Sequence, residues 1–382
     1  MSTNITDKAL NIPPFIVMDV LEHARKLEKD GISVIHMEVG EPDFNTPGCI
    51  IQAGCKALKE GKTHYTHSQG ILALREAICE DYGKRYGVNV NPEQVIVTSG
   101  TSPALLMLFA AMLDKDDEII MTNPYYPCYA NMVRFLGGIP KLIPVSPEEN
   151  FHLTPEKIRP FLSRKVKAIL VNSPSNPTGM CMDPEIMKGI SDLGISIISD
   201  EIYHGIRYEG RDRSFLEFNP ESFVINGFSK RYAMTGWRLG YLIAPEQWIR
   251  PLQKIQQNFF ISAADFVQWA GLAALKEAEK DVARMVQTYK ERRDFLYTAL
   301  TNLGFGILTP PQGAFYFFAD CRKFSDNAYE FAFDILNNAH VGITPGIDFG
   351  PMGEGYVRFS YANSLENIKE GIKRIRNYLE RR

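Results

Sequence analysis

Several features that would point to particular classes of protein are missing from this sequence. Its 42 Lys and Arg residues nearly balance 45 Asp and Glu residues, and the formal net charge of −3 gives no global field for nucleic acid or an anionic membrane. The six cysteines include no C-x-x-C pair, which argues against a zinc ribbon or a thioredoxin-like site. Scattered thiols favour a reducing compartment over a disulfide framework. The longest strongly apolar run, 104–113, is too short to span a bilayer.

Targeting and nucleotide-binding signals are missing as well. Residues 1–15 lack the basic-then-apolar order of a signal peptide, so we expect a cytoplasmic protein. Neither G-x-G-x-x-G after a strand nor G-x-x-x-x-G-K-[ST] occurs, which argues against dinucleotide and nucleotide binding. His64 and His67 have no accompanying cluster of metal ligands, and we therefore predict no metal site.

The pattern of apolar runs predicts an α/β fold with two domains, for which 382 residues are sufficient. Strand-like runs alternate with helical segments from about 46 to 285, which predicts a mainly parallel, helix-covered sheet in a large domain. We assign residues 1–45 to an N-terminal arm and part of a small domain, and 286–382 to the rest of that α+β domain. We also expect a strand over 32–39 and one long helix over about 270–303.

Lys230 lies in the stretch S-K-R-Y-A-M-T-G-W-R-L-G, residues 229–240, with Arg238 further along it. A lysine that reacts with an aldehyde must lose its proton, which burial or nearby cations favour. Taken alone, these charged residues are better explained by a solvated turn before a strand, since lysine and arginine are mostly exposed.

The complete string closely resembles the lysine motif of the class I/II pyridoxal-phosphate-dependent aminotransferases, which have the fold-type I architecture. The resemblance implies that Lys230 holds the aldehyde of pyridoxal 5′-phosphate, while Ser229 and Arg238 contact the phosphate. Gly227 stands where many relatives carry a serine, so one side-chain contact to the phosphate is expected to be lost.

Three other motifs follow the order that this family requires. Asp200 and Tyr203 form an Asp-x-x-Tyr after a buried strand, and Asn176 belongs to N-x-P-x-N-P-T-G. An aspartate facing the pyridine nitrogen keeps it protonated and keeps the ring an electron sink. The resemblance implies that Asn176 and Tyr203 hydrogen-bond the phenolic oxygen. It favours Tyr126 over its neighbour Tyr125 as the ring that stacks on the pyridine.

The remaining expected contacts involve the cofactor phosphate and the substrate. Thr101 and Ser102 begin a helix after a strand, where free N–H groups and the helix dipole favour a phosphate. The family implies that Tyr65 reaches the phosphate across a homodimer interface. It also places the Gly40 backbone, Asn176 and Arg358 at the substrate carboxylate, for which an arginine fork is well suited.

The resemblance implies a ping-pong transfer of an amino group from an L-amino acid to a 2-oxo acid, with 2-oxoglutarate as the expected acceptor. Lys230 is the expected general base and acid. The pattern favours the aspartate/aromatic group. However, dicarboxylate-specific relatives use basic side chains to bind the distal carboxylate. Ser102 stands where one group of them has a lysine, and residues 258–262 stand where others have a segment that carries an arginine. Dicarboxylate, aromatic and small apolar substrates therefore stay open. A carbon–sulfur β-lyase on the same fold is the alternative, whereas a non-catalytic binding protein is disfavoured because Lys230, Asp200 and Arg358 are all present.

Overall fold

The computed structural model describes residues 5–382. The helices are α1 (Asp7–Leu10), α2 (Ile16–Lys29), α3 (Gly48–Lys59), α4 (Leu72–Tyr86), α5 (Thr101–Met112), α6 (Pro127–Phe135), α7 (Pro155–Ile158), α8 (Pro184–Ser191), α9 (Glu246–Phe259), α10 (Asp265–Glu277), α11 (Glu279–Leu303), α12 (Ala328–Ala339) and α13 (Leu365–Leu379). The strands are β1 (Ile35–His36), β2 (Val95–Thr98), β3 (Glu118–Asn123), β4 (Ile139–Pro144), β5 (Val166–Asn172), β6 (Ser196–Asp200), β7 (Phe223–Gly227), β8 (Gly240–Ile243), β9 (Tyr316–Asp320), β10 (Val341–Gly342), β11 (Thr344–Pro345) and β12 (Tyr356–Ser360).

The large sheet has the strand order β2-β8-β7-β6-β5-β3-β4. Its neighbouring strands from β4 to β7 pair in parallel, and β8 runs antiparallel to both β7 and β2. Helices α5, α6 and α9 cover one face, and α3, α4 and α10 pack on the other side. Burial on both faces explains why the central strands are continuous apolar runs instead of alternating ones. The mainly parallel α/β fold predicted from the sequence is confirmed.

Two smaller sheets lie outside this layer. Strand β12 pairs antiparallel with β9 and β11, and β1 pairs in parallel with β10. The first strand of the chain therefore hydrogen-bonds to a segment that follows it by some three hundred residues. The division of the chain near residues 45 and 285 stays a prediction.

Two local expectations were wrong, and one strand was not predicted. The strand expected over 32–39 contains only Ile35–His36, because the Met37 carbonyl instead accepts a hydrogen bond from Ser360 N at 2.7 Å. The helix expected over 270–303 is divided into α10 and α11 at Ala278, where no glycine or proline marks the break. Strand β4 was missed because it contains two prolines, which are tolerated here at the edge of the sheet.

Candidate active site

A cavity of about 320 Å³ lies where the parallel strands of the large sheet end. Carboxyl ends of parallel strands meet at one edge of a sheet, so side chains that directly follow several strands converge there. The predicted residues that line this cavity are Gly40, Thr101, Ser102, Tyr126, Asn176, Asp200, Tyr203, Ser229, Lys230, Arg238 and Arg358. The structure thus brings together residues that the sequence spreads over more than three hundred positions.

Lys230 follows β7 and keeps only a small part of its surface open to the cavity. Its Nζ donates to the Gly40 carbonyl oxygen at 2.6 Å. Burial lowers the pKa of Lys230 from 10.5 to about 8; the Glu41 carboxylate opposes this change, and the Arg358 and Arg238 guanidinium groups add to it. An amine with such a pKa is readily available in its neutral, nucleophilic form near physiological pH.

Asp200 is the last residue of β6 and is buried at the base of the cavity. Its carboxylate accepts hydrogen bonds from the Tyr129 hydroxyl at 2.6 Å and from the Ile202 backbone N–H at 3.1 Å. Burial raises the pKa of Asp200 to about 6, and the two hydrogen bonds oppose that effect. The carboxylate is therefore held in one orientation by donors that favour its ionised form.

Tyr129 was not among the residues predicted from the sequence. It lies on α6, three residues after Tyr126, which is the N-cap residue of that helix, and both side chains line the cavity. Their ring centroids are 5.3 Å apart in an edge-to-face arrangement. The sequence Y-P-C-Y at residues 126–129 was the available signal that a second tyrosine could reach the cavity beside Tyr126. Tyr125 does not line the cavity and packs beside Gly350, which leaves Tyr126 as the cavity-facing residue of the pair.

Tyr203 and Tyr316 form a second contact that sequence reasoning missed. Their hydroxyl oxygens are 2.8 Å apart, and both side chains are buried. Tyr316 also explains why residue 40 is glycine, because a Cβ atom there would lie 1.9 Å from its hydroxyl oxygen. The close approach of the Gly40 backbone to Tyr316 thus fixes one wall of the cavity.

Two asparagines align the loop between β5 and the cavity. The Asn172 amide donates to the Asp200 carbonyl at 3.0 Å, and the Asn172 Oδ1 accepts from Asn176 N at 2.8 Å. The Asn176 side chain then accepts from Arg358 Nη1 at 2.9 Å. The ends of β5 and β6 are consequently connected to the arginine on β12.

Arg358 is only 3% exposed, and its hydrogen-bond partners are neutral. Besides Asn176, it donates to the Glu38 carbonyl at 2.5 Å and to Thr344 Oγ1 at 3.3 Å. Within residues 5–382, its buried Nε has no hydrogen-bond partner. A buried cation without an anionic partner is costly, and the cavity beside it is therefore suited to a carboxylate.

A second group of donors lies at the N-terminus of α5. Thr101 and Ser102 form its first turn, and Ser229 and Arg238 line the same cavity. Gly100 has φ of 102°, and a Cβ atom at this position would lie 2.6 Å from Arg238 Nη2. A helix N-terminus, a hydroxyl and a guanidinium together form a suitable site for a phosphate.

Tyr65 lies outside the cavity of this single chain and is 81% exposed. The adjacent Thr66 N–H donates to Ser262 Oγ at 3.4 Å, which places Tyr65 near the exposed apolar residues Phe259 and Ile261. Its predicted role across a dimer interface stays a prediction.

Among residues 5–382, no group of three or more His, Cys, Asp or Glu side chains is arranged to hold a metal ion. In the same part of the chain, no helix combines the length and apolar character needed to cross a membrane.

Comparison with known families shows to which family the chain belongs. The family model for aminotransferases of class I and II matches residues 32–375. The chain belongs to this family. This aminotransferase is 44% identical over 381 residues to a (5-formylfuran-3-yl)methyl phosphate transaminase of Methanocaldococcus jannaschii. The match covers 99% of this chain and 100% of that protein. It is 37% identical to a probable aspartate/prephenate aminotransferase of Thermus aquaticus, covering 98% and 99% of the two chains.

Solved structures give the same result for the fold. The aminotransferase superposes on the aspartate aminotransferase of Thermus thermophilus with maleate at a TM-score of 0.94 and 36% identity, with 98% of this chain and 99% of that chain covered. It also matches a Methanococcus jannaschii protein, whose active site is described as similar to those of kynurenine aminotransferases, at a TM-score of 0.91 and 44% identity, covering 98% and 100%. The predicted fold-type I architecture and aminotransferase activity are confirmed, and the β-lyase alternative is not favoured.

Proposed function

We propose that this aminotransferase uses pyridoxal 5′-phosphate to transfer the amino group of an L-amino acid to 2-oxoglutarate in two successive half-reactions. The observation that carries the proposal is the meeting of the Lys230 amine, the Asp200 carboxylate and the Arg358 guanidinium in one cavity. Each supplies a different requirement of this chemistry: a nucleophile and proton carrier, an anion for the pyridine nitrogen, and a cation for the substrate carboxylate.

The cavity residues fit the cofactor. Lys230, Arg238 and Arg358 donate to neutral oxygens within the described chain, so anionic groups of a ligand can complete their environment. The first turn of α5, Ser229 and Arg238 would hold the phosphate, and Tyr126 would face the ring. When bound, pyridoxal 5′-phosphate supplies an aldehyde that condenses with amines and a ring that accepts electrons.

The protein's own part in the reaction then follows from its side chains. Asp200 would hold a proton on the pyridine nitrogen, and Tyr203 and Asn176 would donate to the phenolic oxygen. Arg358, Asn176 and the Gly40 backbone would orient the substrate carboxylate. Lys230, in its neutral form, would take a proton from the substrate Cα and, once protonated, would return a proton as the general acid. Its depressed pKa, about 8, supports this role because a general base works best when its pKa is near the working pH.

We infer that the amino donor belongs to the aspartate/aromatic group. The names of the relatives support this range, since they include aspartate/prephenate aminotransferases. Apolar side chains from α2 and α5, namely Phe15, Val17, Met18 and Leu105, line the cavity and suit an aromatic substrate. We further propose a cytoplasmic homodimer in which Tyr65 reaches the partner's phosphate site. The exposure of Tyr65, Phe259 and Ile261 on one chain supports such an interface.

The experiment that tests the reaction is the visible spectrum of the purified enzyme during addition of single L-amino acids without an acceptor. We expect the absorption band of the bound aldehyde cofactor to be lost and then restored by 2-oxoglutarate, and the rate for each amino acid to rank the donors. Lys230→Ala should abolish the response, whereas Lys276→Ala, an exposed lysine on α10, serves as the matched control. Pyruvate released from cysteine-like substrates without an acceptor would contradict transamination.

A further inference from the structure

The first turn of α2 forms part of the cavity wall. Phe15, Val17 and Met18 line the cavity, and the Phe15 ring lies 6.0 Å from the Tyr126 ring in an edge-to-face contact. Phe15 occupies the N-cap position of α2 and offers no side-chain acceptor for the free N–H groups of this turn. The first turn therefore depends on another segment to satisfy its backbone donors.

Asp348 provides these acceptors from the opposite end of the chain. Its Oδ1 accepts from Ile16 N at 2.9 Å and its Oδ2 accepts from Val17 N at 3.3 Å, across 332 and 331 residues of sequence. The carboxylate is only 8% exposed. A carboxylate at a helix N-terminus is stabilised both by the free N–H groups and by the helix dipole. Both oxygens of Asp348 are thus engaged by the turn that forms the wall.

The segment carrying Asp348 is itself held tightly. It is a short 3-10 turn, Gly346–Phe349, in which a Cβ on Gly346 would lie 2.1 Å from the Gly353 carbonyl oxygen. The Phe349 carbonyl accepts from Tyr125 N at 3.0 Å, and the Phe349 ring lies 4.9 Å from the Arg358 guanidinium. One rigid turn therefore both packs against the carboxylate-binding arginine and anchors the apolar wall.

The charge of Asp348 is consistent with this role. Burial raises the pKa of Asp348 to about 6, and the N–H groups of Ile16 and Val17 and the nearby Arg358 favour the ionised form, while Asp19 opposes it. Burial and the Asp348 charge in turn raise the pKa of the Cys128 thiol on α6. At neutral pH the first turn of α2 is therefore capped by a carboxylate.

We propose that Asp348 is a positioning residue that fixes the wall formed by Phe15, Val17 and Met18, and that it thereby determines how tightly the enzyme binds amino acids with large apolar side chains. The inference rests on the proposed function, since it assumes that the amino acid side chain contacts this wall. A small side chain such as that of alanine does not extend far from the carboxylate, so its binding depends much less on the wall.

The test uses the Asp348→Asn and Asp348→Ala holoenzymes. We measure kcat and KM for the bulkiest and the smallest amino acid that the wild-type enzyme accepts in the spectral assay, and hydrogen–deuterium exchange over residues 15–20. Asp348→Ala removes both acceptors and is expected to raise KM for the bulky substrate by about 5- to 30-fold with little change in kcat; Asp348→Asn, which keeps one acceptor, should have a smaller effect in the same direction. For the small substrate we expect a change of less than about threefold, and exchange in 15–20 should become about tenfold faster.

Asn327→Ala is the matched control, because Asn327 caps α12 through Glu330 N at 3.0 Å and does not line the cavity. It should accelerate exchange near its own helix and leave the ratio of the two KM values unchanged. The proposal is overturned if the Asp348 variants change neither that ratio nor exchange in 15–20, or if both substrates are affected equally. Asp348→Asn keeps the size of the side chain and still reports if Asp348→Ala fails to fold. Absence of any spectral response in the wild-type enzyme would instead contradict the proposed function.

Discussion

Replacing Lys230 by methionine tests whether the fold makes this amine easy to deprotonate. Methionine keeps a similar length and removes the charge. The pKa of Lys230 is lowered from 10.5 to about 8 in the folded chain, mainly by burial. Between these two values the unfolded chain binds more protons than the folded chain, so the free energy of unfolding rises with pH in that window. Protonation of the buried amine lowers the free energy of unfolding. This loss is complete below about pH 8, and the free energy of unfolding recovers as the pH rises towards 10.5.

The magnitude follows from the same two pKa values. From pH 7.5 to pH 9.5, this single group should increase the free energy of unfolding of the cofactor-free enzyme by about 2 kcal/mol. Lys230→Met should lack this increment. Other groups titrate over the same interval in both proteins, and subtracting one pH dependence from the other removes their contribution.

Urea denaturation of both cofactor-free proteins at pH 7.5 and pH 9.5 provides the measurement. We expect the difference in the free energy of unfolding between wild type and variant to change by about 2 kcal/mol over that interval. Parallel pH dependences in the two proteins would show that burial does not depress the pKa of Lys230, and the argument for a readily neutral amine would then be wrong.

Three further predictions address the other parts of the site. Arg358→Lys should raise KM for every amino acid by about 10- to 100-fold, because an ammonium group cannot replace a paired guanidinium contact; an unchanged KM in steady-state kinetics would assign the carboxylate to another group. Tyr129→Phe removes the 2.6 Å hydrogen bond to Asp200 and should raise the pKa of that carboxyl by about 1 to 2, which a pH titration of the Asp200 carboxyl by nuclear magnetic resonance in the cofactor-free enzyme would detect as a midpoint at higher pH. Identical midpoints would mean that Tyr129 does not stabilise the ionised form. If Tyr65 acts across an interface, the active enzyme should sediment as a dimer, and a fully active monomer would rule that role out.

The sequence was most informative where a functional residue directly follows a buried strand. Asp200 ends β6, and Lys230 comes shortly after β7, so recognition of these apolar runs already placed both side chains at one edge of a parallel sheet. Together with the resemblance of the surrounding motifs, this was sufficient to predict the fold and eleven of the residues that line the cavity.

Contacts between distant segments could not be predicted in this way. The bond from Tyr129 to Asp200 depends on how α6 packs beside β6, and the contact between Tyr203 and Tyr316 depends on how β9 approaches the large sheet. No local pattern encodes either distance. The same holds for Asp348. In the sequence it is an acidic residue in a Gly-rich loop, and only the structure shows that its carboxylate accepts a hydrogen bond from the first turn of α2.

The pairing of β1 with β10, and of the first turn of α2 with Asp348, has a consequence for synthesis of the protein. The ribosome makes α2 long before residue 348. The buried face of α2, formed by Val17, Val20 and Ala24, therefore has no complete partner until residue 348 has emerged. Contacts of such long sequence separation form late and slow folding. The apolar face of this amphipathic helix therefore lacks its partner through most of translation, and we expect α2 to be a site of chaperone binding during that interval.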